Sequence, residues 1–173
     1  MKRNFRRLAV GAIAAAGIVV AAPMSVRAAS DTANAYATIV SAITIINDVD
    51  LQFAAIVPAG TAEIVVVSPA SARTCAAALT CTGTVAAASF SVAGGANLTY
   101  SITLPGAALV ISDGGGNNMN VDTWTSSPTS TGTLDGSGDQ TLTVGATLHV
   151  GASQATGSYG QGGETFVVTV DYN

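Results

Sequence analysis

Hydrophobic and polar positions alternate with a period of two through much of the chain from Ala29 onward, the spacing of a pleated strand with one buried face. Candidate strands fall at residues 32–46, 61–67, 85–92, 98–104, 107–111, 119–125, 139–150 and 164–172. Turn punctuation separates them: Pro58-Ala-Gly60, Gly94-Gly95, Pro105-Gly106, Asp113-Gly-Gly-Gly116, Asp135-Gly136 and Gly162-Gly163. Residues 126–138 read as a polar loop, and no repeat of fixed period is present. Short strands at this spacing predict an all-β fold, an antiparallel sandwich. The runs Ala76–Ala78 and Ala86–Ala88 have helical propensity, but β-branched and turn residues flank them and make nucleation costly.

The alternation is strongest near the two ends. Phe166, Val168, Val170 and Tyr172 fall on one face of the last candidate strand, with Val167, Thr169 and Asp171 on the other. Burying the first set would contribute roughly 1.5–3 kcal/mol per side chain, which places this strand inside a sheet. Toward the other end, Ala33, Ala35, Ala37 and Ile39 alternate with Asn34, Tyr36, Thr38 and Val40. This segment has small apolar knobs, no proline and almost no charge. It reads either as an ordinary first strand or as an added strand docking in a hydrophobic groove, on its own domain or a neighbour's.

Ahead of Ala29 the pattern changes. Met1–Arg7 is basic, Leu8–Ala22 is an unbroken apolar run, Pro23 ends it, and Val26-Arg27-Ala28 offers small or apolar residues where a signal peptidase reads. Residues 1–28 are therefore expected to be a secretory signal peptide, cleaved after Ala28. The apolar run is too short for a membrane-spanning helix, which takes about 20 residues, and no later stretch is apolar enough to span. Arg6-Arg7 fits the folded-export signal poorly, so general secretion is expected. Export also decides how the cysteines read. Cys75 and Cys81 enclose five residues between Ser/Thr/Gly-rich flanks, and an oxidising compartment favours their pairing. A metal or redox pair would want a second ligand pair or a two-residue spacing.

Charge removes several function classes. Five of the six basic residues lie in the first 27, so beyond residue 28 only Arg73 faces all ten acids, a net charge of −9. Nucleic acid and anionic membrane surfaces both demand cations that this chain does not carry. Charged residues make up 9% of the sequence, far below the quarter usual in soluble domains.

Catalytic and metal chemistry have little footing. His149 is the only histidine and alternates with its neighbours inside an apolar strand, which suits a sheet-surface or satisfied role. No serine sits in a Gly-x-Ser-x-Gly elbow. Asp48 and Asp50 better cap a turn edge than form an acid–base pair. Asp113-Gly-Gly-Gly-Asn-Asn118 lacks the lysine and Ser/Thr of a phosphate loop and reads as a flexible turn. Asp135-Gly-Ser-Gly-Asp139 alternates oxygen ligands but lacks the glycine and distant glutamate of a calcium loop. Asn97-Leu-Thr99 matches an N-glycosylation acceptor. Trp124, between Thr123 and Thr125, could stack on a sugar ring or serve as core. No cofactor, no metal and no enzymatic activity are expected.

The C-terminal residues carry a resemblance. Tyr172 is penultimate, Gly160 is fourteenth from the end, and Phe166, Val168 and Val170 alternate between them, as in the last strand of bacterial chaperone–usher pilins. Over most of the chain, Ala42-Ile-Thr-Ile-Ile-Asn-Asp-Val-Asp-Leu-Gln-Phe53, Val144-Gly-Ala-Thr-Leu-His-Val150, Gly157-Ser-Tyr-Gly160 and Val168-Thr-Val-Asp-Tyr172 resemble a secreted bacterial family, the domain-of-unknown-function 4402 family. That family is similar to fimbrial subunits and to spore-coat-U-type secreted pilins. The resemblance implies an immunoglobulin-like antiparallel β-sandwich in residues 42–173 that lacks one strand. The donor would be the extension 29–41 of another subunit, with Ala33, Ala35, Ala37 and Ile39 as knobs. The acceptor groove would be lined partly by Phe166, Val168, Val170 and Tyr172. The partners implied are identical or related pilin subunits, a periplasmic chaperone gripping the C-terminal strand and the Asn173 carboxylate, and an outer-membrane usher. The destination implied is the cell surface, through the periplasm. Such pilins join distant cysteines, whereas Cys75 and Cys81 can tie only a local loop, which points to an archaic or divergent branch.

Overall fold

The computed structural model describes residues 27–173. The expected signal peptide lies outside the described residues apart from its last two positions. Twelve strands are formed and, among the described residues, no helix. They are β1 (Thr44–Val49), β2 (Ala55–Val57), β3 (Glu63–Val67), β4 (Arg73–Cys75), β5 (Thr80–Thr82), β6 (Ala88–Ala93), β7 (Thr99–Thr103), β8 (Leu109–Ser112), β9 (Asn118–Ser127), β10 (Thr131–Thr133), β11 (Asp139–Val150) and β12 (Thr169–Tyr172). The expected all-β, immunoglobulin-like antiparallel sandwich is the observed fold, and every ladder in it is antiparallel.

The twelve-residue β11 is the spine of the larger sheet. One of its edges pairs first with β6 (Leu142↔Phe90) and then with β3 (Leu148↔Val65), while the other edge pairs with β9. β1 extends the sheet beyond β6, β4 beyond β3, and β8 beyond β9. The facing sheet has three strands in the order β10-β7-β12, and β2 with β5 forms a small separate ribbon.

Alternation along these strands builds two cores. Phe90, Val92, Leu142 and Val144 of the large sheet meet Tyr100, Ile102, Val168 and Val170 of the small one, with Leu134 between them. Farther along β11, Ala146, Leu148 and Val150 are covered by Val65, Leu79 and Val121, with Ile56 and Cys81 of the ribbon packed alongside. The disulfide Cys75–Cys81 forms as expected and fastens β4 to β5, with a Cα–Cα distance of 6.3 Å.

Several local expectations are corrected. Four strands of three residues, β2, β4, β5 and β10, are too short for period two to register, and β10 lies inside the segment read as a polar loop. The first candidate strand, 32–46, is a strand only from Thr44. Alternation shows that a segment has two faces, but a strand also needs a partner edge. The C-terminal strand is paired only from Thr169, although the inward alternation of Phe166, Val168, Val170 and Tyr172 extends ahead of it. The turn at Asp113, read as flexible, is closed by its own carboxylate, which accepts the N–H of Gly115 at 2.7 Å and the side-chain amide of Asn117 at 2.6 Å.

Candidate strand-docking edge

β12 pairs with β7 on one side, and among the described residues no strand pairs with its other edge. β1 likewise pairs only with β6. These two free edges, one from each sheet, approach one another. The seam between them is apolar, because period two aims Phe166, Val168, Val170 and Tyr172 inward from one side and Ile45 from the other, with Ile43 just ahead of β1. Val168 and Val170 are buried, whereas Ile43, Ile45, Phe166 and Tyr172 are only partly covered. Such an edge combines an unpaired backbone ladder with apolar side chains, the two things an added strand needs.

Each end of the seam is fixed by an aromatic residue. At one end the Tyr172 hydroxyl accepts the Gly95 N–H at 2.6 Å and donates to the Ser41 carbonyl at 2.9 Å. Gly94 makes this possible, since a Cβ there would collide with the hydroxyl. At the other end Phe166 meets Phe90 edge-on, with ring centroids 6.3 Å apart, and lies over Trp124 at 4.5 Å.

The remaining predicted residues lie elsewhere. Gly160 is not on the seam: its φ is +81°, its N–H donates to the Ser112 carbonyl of β8 at 3.0 Å, and Ile111 lies beside it. Ala33, Ala35 and Ala37 belong to a unit separate from Thr38–Asn173, whose described residues are exposed and form no strand. Ile39, in the larger unit, is 98% exposed.

The polar groups singled out in the sequence are engaged in local structure. His149 Nε2 lies 2.8 Å from an Asp122 carboxylate oxygen on the solvent side of the β9–β11 ladder. That contact, with the Thr123 hydroxyl, holds the Asp122 carboxyl below its usual range. Asp48 accepts the Ser91 hydroxyl at 2.7 Å, tying β1 to β6. One Asp135 oxygen accepts the N–H groups of Ser137 and Asp139, so the best calcium-loop position is committed to its own turn. These bonds lower the Asp135 carboxyl, and the Asn117 and Gly115 bonds lower that of Asp113. Among the described residues no group of three or more His, Cys, Asp or Glu side chains is placed to hold a metal ion.

Sequence reasoning did not reach the Tyr172 latch or the Trp124–Phe166 contact. The first was signalled by Gly94-Gly95, read only as a turn. The second depends on an irregularity in β9 that period two hides.

Comparison with curated proteins and with solved structures gives no match. A family model does match, over residues 43–172, from just ahead of β1 to the end of β12. The chain belongs to the family described as Domain of unknown function (DUF4402).

Proposed function

We propose that this protein is a structural subunit of an extracellular fimbria or surface filament, assembled by donor-strand exchange and serving adhesion or biofilm formation. The observation that carries this reading is the free edge of β12, bordered by a half-covered apolar seam. Residues 29–40 of a second copy would lie along that edge and seat Ala33, Ala35, Ala37 and Ile39 in the seam. The contact is head-to-tail and does not close, so repetition gives a filament. Before assembly the open edge is an aggregation hazard, and a periplasmic chaperone would cover it until an outer-membrane usher exchanged it for the next subunit. The net charge of −9 beyond residue 28 keeps free subunits apart.

The alternative is a secreted binding module whose own residues 29–40 complete the sandwich. Direction favours exchange between copies. Ser41 lies at the Tyr172 end of β12, so the same chain would have to double back within Ser41–Ile43 and run parallel to β12. A strand from another copy is free to run antiparallel, as in every ladder of this fold.

The test is hydrogen exchange on a chain lacking residues 29–40, with and without a peptide of that sequence. Donor exchange predicts that the peptide binds and slows amide exchange in β12 and Phe166–Val168. A truncated chain that folds and ignores the peptide would rule the mechanism out.

A further inference from the structure

Between the two sheets, on the β9–β10 side, lies a cavity of about 370 Å³ lined by Ile102, Leu104, Trp124, Thr125, Ser126, Thr129 and Ser130. We propose that it is a binding site for a neutral pyranose, with Trp124 as the stacking platform. This inference does not rest on the filament reading.

The cavity falls in the size range of small-ligand sites. Its chemistry divides into an apolar part, Ile102, Leu104 and the indole, and a rim of three uncharged hydroxyls, Ser126, Thr129 and Ser130; the Thr125 hydroxyl turns away to the Gly145 carbonyl at 3.5 Å. A pyranose divides the same way, with a C–H face that suits the electron-rich face of an indole and a periphery of hydroxyls. The hydroxyl roles are complementary rather than redundant. Ser126 donates to the Pro128 carbonyl at 2.8 Å and Thr129 to the Ser126 carbonyl at 3.2 Å, so both offer lone pairs to a ligand O–H. The Ser130 side chain is exposed, and its hydroxyl can donate or accept. No ionic side chain lines the cavity, and Arg73 is the only cation beyond residue 28, so uronic and sialic acids have no counter-charge.

The backbone is bent to make this surface. Between Asp122, opposite Thr147, and Thr125, opposite Gly145, β9 carries one more residue than β11. The bulge places Thr123 at φ +52°, an unfavourable region for a β-branched residue. Its effect is to shift the alternation, so that Val121, Trp124 and Ser126 all turn inward while Asp122 and Thr125 turn out. Without it Trp124 would face solvent. The ring is then held by its Nε1–H to the Ala107 carbonyl at 3.3 Å and by Phe166. Across the cavity Ser130 also has a positive φ, +60°.

Trp124 is the only tryptophan, so intrinsic fluorescence reports on this site alone. The purified exported chain is titrated with methyl glycosides of glucose, galactose, mannose, N-acetylglucosamine and N-acetylgalactosamine, with glucuronic and sialic acids as controls. The expected result is a saturable emission change for at least one neutral glycoside and none for the acids. Ser130→Gly removes a hydroxyl while tolerating the positive φ, and is expected to weaken that affinity about tenfold. Ser126→Ala, which removes an inward-facing rim hydroxyl, is the second variant, and circular dichroism checks that both fold. No saturable change with any neutral glycoside overturns the proposal. So does an equal response to the acids, or an affinity that both folded variants leave unchanged.

Discussion

Replacing Tyr172 with phenylalanine leaves the ring in the core and removes only the hydroxyl that spans from Gly95 to Ser41. Two hydrogen bonds go with it, at 2.6 and 2.9 Å. Ser41 is exposed, so water replaces the lost donor at a cost of about 0.5 kcal/mol. The Gly95 N–H is partly buried and loses its acceptor, which costs about 1–2 kcal/mol. The sum, about 2 kcal/mol, corresponds to a fall in Tm of about 7 °C for a domain of this length. Gly94→Ala probes the same contact from the other side. Its Cβ would strike the hydroxyl oxygen and lie 3.0 Å from Leu134 Cδ1, an overpacking worth about 1–3 kcal/mol. In the Tyr172→Phe background the worst collision is gone. The two substitutions should then be less than additive by at least about 1 kcal/mol. Urea unfolding of the four proteins, with the disulfide intact, measures the cycle. Additivity within about 0.5 kcal/mol would refute the latch, as would a Tyr172→Phe protein as stable as the parent.

Reducing Cys75–Cys81, or replacing both with serine, should cost about 2 kcal/mol by releasing a short loop, read by urea unfolding with and without dithiothreitol. His149→Ala should cost no more than about 1 kcal/mol, because its pair with Asp122 faces solvent, and a larger loss in the same assay would give this histidine a further role. Asp113, Asp122 and Asp135 have folded-state pKa values below their unfolded ones. Their stabilisation is complete above the unfolded value, about pH 3.9, and is lost as pH falls through the lower folded values. Thermal unfolding from pH 7 to pH 2 should therefore show loss on the acid side only. Asp135→Asn, which keeps the turn's acceptor, should flatten that limb.

The C-terminal strand was legible because its alternation and its burial coincide: Phe166, Val168, Val170 and Tyr172 turn inward as period two requires. Long strands such as β11 were legible for the same reason. Where the reading stopped, a partner across the sheet made the decision. Period two over residues 119–125 groups Val121 with Thr123 and Thr125, but the bulge opposite Ala146 moves Trp124 to the inner face instead. Thr131–Thr133 becomes a strand only because β7 presents Thr99–Ser101 to it, with Gly132 admitting the Tyr100 ring. Residues 32–43 alternate as well as any segment in the chain yet form no strand, since alternation does not supply a ladder to join. The free edge that carries the functional proposal was beyond the sequence without the family resemblance, because it depends on which strands fail to pair.

The central claim is that residues 29–40 of one copy complete the open edge of β12 in another. Gel filtration and electron microscopy of residues 29–173, compared with the chain lacking 29–40, test it most directly. The account predicts SDS-resistant ladders or fibres from the longer chain only, and a folded, peptide-accepting monomer from the shorter. A stable monomer from residues 29–173, with a shorter chain that cannot fold, would contradict it.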